Sequence, residues 1–201
     1  MIEVPITQGM NARATDKAKQ MPTKWPNGIL PEGGNFVGCL GEEIFLMTYP
    51  KAVSQNTYKW DVVLQGYNFE IKTKKRNVEP QMDYACSIPY SSTHQTPDFY
   101  AWVSLQKLEK AFVVGYISRS MFYRKAKFFA EGESEGDNGF HEKKGAYICH
   151  IADLWPSEEL QGLVEPRTWP CTKPNEEDND TLRNKREEHR ATRIPAVMAG
   201  T

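Results

Sequence analysis

Asp61, Glu70 and Lys72 have the residue types and the spacing of a small catalytic cluster. They lie in two runs, 60–64 and 67–73, which are rich in β-branched and aromatic residues and therefore predict neighbouring β-strands. Successive side chains of a strand alternate between its two faces, so Glu70 and Lys72 share one face. The pattern predicts an ammonium group beside a carboxylate on one face of a sheet.

The short link Gln65-Gly66 predicts that the two runs form a β-hairpin. Counting outward from a two-residue turn places Asp61 opposite Glu70. Side chains that face each other across an antiparallel pair have Cβ atoms only ~4.5–5.5 Å apart, so two carboxylates repel each other there unless a cation neutralises them. The hairpin thus predicts a site for a divalent cation. An ordinary surface salt bridge between Glu70 and Lys72 explains the same triplet.

A helix is predicted upstream of the hairpin, over residues 35–49. Apolar side chains recur there at spacings of three and four, and Pro50 ends the pattern. Gly41 is followed by Glu42 and Glu43 at the centre of this helix. We expect one glutamate to point toward the hairpin, with two solvated glutamates on the helix surface as the alternative.

The order of Gly41-Glu42, Asp61 and Glu70-Ile71-Lys72 resembles the PD-(D/E)XK nuclease superfamily, with Trp60 in the place of the motif's proline. The resemblance covers residues 35–163. It implies an α/β fold with a restriction-endonuclease-like core, in which helices flank a central mixed sheet of four to five strands.

This resemblance also implies phosphodiester hydrolysis with Mg²⁺, for which Mn²⁺ could substitute. Hard cations prefer oxygen ligands, and Asp61, Glu70 and the Ile71 carbonyl would supply them. Glu42, which directly follows the glycine, would bind the ion directly or through water, with Glu43 as the alternative. Lys72 would orient the nucleophile and stabilise the developing negative charge.

Basic residues outside this set are candidates for contacts with a nucleic-acid backbone: Lys74, Lys75, Arg76, Arg119 and Arg124. Lys74 shares the Glu70 face of its strand. The last two belong to residues 119–129, where basic and aromatic residues alternate near helical spacing. A solvated strand end and an amphipathic helix that covers the sheet are the competing interpretations.

The remaining chain divides by composition. Two apolar runs, 98–105 and 111–118, predict strands that are buried on both faces. Prolines and scattered basic residues at 1–34 predict an N-terminal extension or arm without packed elements. The domain is expected over 35–163, and the charged residues 164–201 predict a disordered tail.

Bulk properties restrict the partners. With 25 basic and 26 acidic residues the net charge is −1, so the overall charge does not indicate a nucleic-acid partner. DNA is therefore expected as the substrate from the resemblance alone, and RNA and a homodimer stay open. The four cysteines form no Cys-x-x-Cys pair, and the sequence contains neither an apolar leader nor an apolar run of membrane-spanning length. We expect a cytoplasmic protein without membrane contact. The order of elements from GYISR onward also resembles phage-borne members, which would place it in the host cytoplasm.

The function expected from the sequence is a metal-dependent endodeoxyribonuclease. Three alternatives stay open: a non-catalytic module of nuclease fold that binds DNA or supports an assembly, a branched-DNA resolvase, and an RNA-directed nuclease. The short motif cannot separate them, because substrate shape is recognised by surfaces that it does not encode.

Overall fold

The computed structural model describes residues 1–21, 34–55, 57–133 and 145–161. Its helices are α1 (Gln8–Gln20), α2 (Gly34–Thr48) and α3 (Arg119–Lys125). Its strands are β1 (Ile2–Pro5), β2 (Val53–Ser54), β3 (Val62–Leu64), β4 (Tyr67–Arg76), β5 (Ala85–Pro89), β6 (Phe99–Gln106), β7 (Lys110–Ser118), β8 (Lys127–Phe129), β9 (Ala146–His150) and β10 (Trp155–Pro156). The predicted tail at 164–201 lies outside the described residues.

The main sheet is mixed, as predicted. Among the described strands its order is β1-β7-β6-β4-β3-β2, and β10 also pairs with β7. The β4–β6 pair is parallel, and the other pairs of this sheet are antiparallel. The α/β class is confirmed, but this sheet has seven described strands instead of four to five. A separate three-stranded sheet has the order β5-β9-β8.

The core lies around β6 and β7, which are buried along nearly their whole length. This confirms the prediction from their continuous apolar sequences. Helices cover both faces of the sheet: Phe45 of α2 lies 5.7 Å from Phe69 between ring centroids, and Phe122 of α3 lies 5.7 Å from Trp102. Phe69 also stacks on Phe99, so α2 packs across β4 and β6.

The prediction that residues 1–34 contain no packed element is wrong for residues 2–20. β1 pairs with β7, and α1 begins after Thr7, whose Oγ1 accepts a hydrogen bond from the Met10 amide at 3.2 Å. Met10 and Ala14 are buried. The prolines misled the prediction because Pro5 ends an edge strand, where its missing N–H costs little, and the others fall in residues 22–33, outside the described part.

The helix predicted at 119–129 is shorter than expected. Ser118 caps α3 through a hydrogen bond from the Met121 amide, but α3 ends at Lys125 and β8 follows. Within the described residues, no helix combines the length and the apolar composition that a membrane crossing needs.

Candidate functional site

The β3–β4 hairpin sets the register of the candidate site. Gln65 and Gly66 have φ angles of 53° and 81°, so both adopt the left-handed conformation that suits a tight hairpin turn. Val62 pairs with Phe69, and the pairs between that point and the turn follow the predicted register. The hairpin prediction is confirmed.

Asp61 departs from the predicted ladder. Its backbone amide donates to the Phe69 carbonyl at 2.9 Å, so Asp61 is not paired directly opposite Glu70. Its Oδ2 instead accepts a hydrogen bond from the Ile71 amide at 2.7 Å. The carboxylate thus occupies the ladder position that a backbone carbonyl would fill, and it lies against the β4 segment that carries Glu70.

Glu70 is almost fully buried, and its two oxygens differ. Oε1 accepts hydrogen bonds from Lys72 Nζ at 2.9 Å and from Gln95 Nε2 at 2.6 Å. Lys72 Nζ also donates to Gln95 Oε1 at 3.0 Å, so the three side chains form a closed triangle. Oε2 is buried and has no hydrogen-bond partner among the described residues. Burying a carboxylate oxygen without a hydrogen-bond partner costs free energy unless a ligand compensates it.

Helix α2 brings Glu42 toward the same charges. Gly41 lies directly against Thr73 of β4, and a Cβ at position 41 would overlap the Thr73 side chain. This close approach requires glycine. Glu42, the next residue, is buried. Glu43 points elsewhere, since its Oε2 accepts a hydrogen bond from Arg13 Nε at 2.6 Å.

Helix α1 adds a cation that the sequence analysis did not assign to the site. Lys17 Nζ forms a salt bridge with Glu42 Oε2, and both side chains are mostly buried, with 19% and 9% exposed. Lys17 continues the buried face of Met10 and Ala14 at the spacing of a helix turn. That spacing was the signal available in the sequence. It was missed because residues 1–34 were predicted to form an extension without a packed helix.

The electrostatics connect the three carboxylates. Burial, then the charges of Glu70 and Glu42, raises the pKa of Asp61 well above its usual range, and the Ile71 amide and Lys72 only partly oppose this. Burial also raises the pKa of Glu42 against the effect of Lys17, and repulsion from Glu70 adds to the rise. Lys17 has a raised pKa because Glu42 outweighs the effect of its burial. When all three carboxylates are ionised, they outnumber Lys17 and Lys72, the lysines that contact them among the described residues.

Gln95 is the other site residue that the sequence analysis missed. It lies in the link from β5 to β6, and the parallel pairing of β6 with β4 brings this link beside Glu70. A parallel neighbour for β4 was not part of the prediction. Next to Gln95, the exposed His94 ring stacks on Tyr58 with a centroid distance of 4.5 Å.

The basic residues predicted to contact a nucleic-acid backbone fall into two groups, those packed against the protein and those exposed. Arg119 is only 6% exposed, with its guanidinium over the Tyr123 ring, so it is not placed for contact with a polymer outside the fold. Arg76 lies over the Tyr84 ring and donates to the Ala85 carbonyl. The half-buried Lys74 approaches Cys86: burial raises the pKa of that thiol to about 12, and the charge of Lys74 opposes the rise.

Lys75 and Arg124 are exposed, and nucleic-acid contact stays a prediction for them.

The side chains predicted to hold a metal ion are close in space but not arranged as a finished ligand shell. Within the described ranges, no three His, Cys, Asp or Glu side chains converge tightly enough to form one. No protein-family model, curated protein or solved structure matches this chain. The likeness to the nuclease superfamily therefore rests on the residues named above.

Proposed function

We propose that the protein is a metal-dependent nuclease that hydrolyses phosphodiester bonds, with DNA as the substrate and cleavage within the strand. In this proposal α2, β3, β4, β6 and β7 correspond to a restriction-endonuclease-like core. Asp61, Glu70 and Lys72 form the centre of the site.

The observation that carries the proposal is the unsatisfied Oε2 of Glu70. It belongs to a buried carboxylate, and burial, followed by the charges of Glu70 and Glu42, raises the pKa of the neighbouring Asp61 carboxylate. A divalent cation satisfies both conditions at once, since it binds carboxylate oxygen and offsets the repulsion. The donor set fits Mg²⁺ or Mn²⁺, with Asp61, Glu70 and the Ile71 carbonyl as the ligands and Glu42 at the periphery.

When bound, such an ion lowers the pKa of a coordinated water and neutralises charge at the phosphoryl group. Lys72 is positioned to act beside it, because Glu70 and Gln95 hold its ammonium group from two sides. An ammonium retains a third N–H, which can donate to a phosphate oxygen as negative charge develops there. The Ile71 amide fixes one oxygen of Asp61 and leaves the other for a ligand.

A nucleic-acid substrate also fits the aromatic pair beside the site. Tyr58 is 61% exposed and stacks on the exposed His94. Tyr58 lies three residues before Asp61, and His94 directly precedes Gln95. Exposed aromatic faces of this kind stack on nucleobases without requiring a particular base.

The test is cleavage of supercoiled plasmid, linear duplex and single-stranded DNA in Mg²⁺, Mn²⁺ or EDTA. Asp61→Asn removes one carboxylate of the site, and Asp83→Asn makes the same change at an exposed position. We expect metal-dependent cutting of closed circular DNA by the wild type and Asp83→Asn, and loss of cutting in Asp61→Asn. DNA binding without cutting in either metal would instead indicate a non-catalytic module of this fold.

A further inference from the structure

The Lys17–Glu42 salt bridge places a protein cation at one side of the carboxylate cluster. Lys17 comes from α1, an element outside the motif region, and its ammonium group contacts Glu42 Oε2. It is mostly buried, so this contact is not an incidental surface pair, which would contribute little. An ammonium group at this position gives Glu42 a positive partner that a second metal ion would otherwise have to provide.

The charges around the site show what this compensation achieves. Glu42, Asp61 and Glu70 interact with one another electrostatically. Among the described residues, Lys17 contacts Glu42 and Lys72 contacts Glu70. Lys72 is bound at Glu70, on the side where Gln95 lies. Lys17 is bound at Glu42, on the side of α1. The unsatisfied Glu70 Oε2 and the Asp61 carboxylate remain as oxygen donors for an ion.

We propose that Lys17 is a built-in counter-ion that occupies Glu42 and limits the site to a single divalent cation. This inference rests on the proposed function, because it concerns the ion that the nuclease would use. Without the ammonium group, the Glu42 carboxylate would join Asp61 and Glu70 as a ligand. Three neighbouring carboxylates suit a pair of ions, as in two-metal phosphodiesterase sites. Lys17 is a positioning residue in this account, since it acts through Glu42 and does not touch the reacting atoms.

The experiment counts bound Mn²⁺ on the full chain by isothermal titration calorimetry, with electron paramagnetic resonance to detect a spin-coupled pair of ions. We expect about one Mn²⁺ per chain in the wild type and about two in Lys17→Met, with a coupled signal in the variant alone. Lys19→Met is the matched control, because Lys19 lies on the same helix with 73% of its side chain exposed. It should bind like the wild type.

Two further variants guard against a merely structural effect. Lys17→Arg keeps the positive charge and should keep one ion, whereas Lys17→Met combined with Glu42→Gln removes the uncompensated carboxylate and should return the count to one. Circular dichroism confirms that each variant is folded. One ion in Lys17→Met, or two in the wild type, would overturn the inference even if the wild type cleaves DNA. Absence of Mn²⁺ binding from every protein would instead overturn the proposed metal-dependent function.

Discussion

Strand β4 carries two charged stretches with different surroundings: Glu70 to Lys72, here called the first half, and Lys74 to Arg76, here called the second half. In the first half, Glu70 and Lys72 contact each other, and Asp61 and Glu42 approach them from the segment just before β3 and from α2. In the second half, Arg76 packs on the Tyr84 ring and Lys74 approaches β5. Charged residues on a strand therefore form a site only where other elements bring complementary charges to them.

The largest expected difference between the halves is in cleavage. Lys72→Met removes the ammonium group held by Glu70 and Gln95, while Lys75→Met removes an exposed one three residues away. We expect a loss of about 100- to 1,000-fold for Lys72→Met, the range for one donor to a developing charge, or ~2.7–4 kcal/mol. Single-turnover cleavage with saturating protein measures it. Similar rates for the two variants would remove the distinction between the halves.

Two glycines of α2 should respond in opposite ways to substitution by alanine, with effects on stability that are smaller than the effect on cleavage. Gly41→Ala places a Cβ into the Thr73 side chain, and overpacking of this kind costs about 1–3 kcal/mol. Gly38→Ala, in the same helix, meets nothing within 4 Å and should stabilise the protein by up to about 1 kcal/mol through helix propensity. Urea denaturation measures both changes. Stabilisation by Gly41→Ala would show that α2 does not lie this close to β4.

A pH effect should distinguish the acidic half as well. In EDTA, the folded protein keeps a proton on Asp61 that the unfolded chain loses above about pH 3.9, because the folded-state pKa of Asp61 is raised. Stability should therefore fall as pH rises from the unfolded-state pKa through the raised one, by about 1.4 kcal/mol for each tenfold difference in proton affinity.

The comparison is between wild type, Asp61→Asn and the exposed Asp83→Asn, each denatured chemically at a series of pH values. In Asp61→Asn, stability should fall less steeply with rising pH than in the wild type. Part of the fall should remain, because the pKa of Glu42 is raised as well. Asp83→Asn should keep the wild-type slope. An unchanged slope in Asp61→Asn would contradict the proposed environment of this carboxylate.

The sequence predicted the local features of the site better than the long-range ones. The hairpin register from Val62 to the turn and the buried strands β6 and β7 follow from alternation and turn chemistry between near neighbours. The predicted pairing of Asp61 with Glu70 was wrong, because the ladder becomes irregular just before β3. Lys17 and Gln95 could not be placed in this way. Their contacts with Glu42 and Glu70 depend on how α1 packs on α2 and on the parallel pairing of β6 with β4.

The fold prediction was limited for the same reason. The extra strands of the main sheet come from short segments such as Trp155–Pro156, which have no periodicity long enough to detect. Arg119 shows the other limit. Its basic and aromatic surroundings in sequence suggested a surface contact, yet it is buried over Tyr123. Composition does not tell whether a cation–aromatic pair faces solvent or the core.

The most direct test of the central claim is the effect of Mg²⁺ on melting temperature. Binding of an ion to the folded state should stabilise the wild type by ~2.7 kcal/mol at 100 times the dissociation constant, a shift of several degrees. The same shift is expected in Asp83→Asn, and a much smaller one in Asp61→Asn. An equal shift in Asp61→Asn and wild type, or none in either, would contradict a cation site between Asp61 and Glu70.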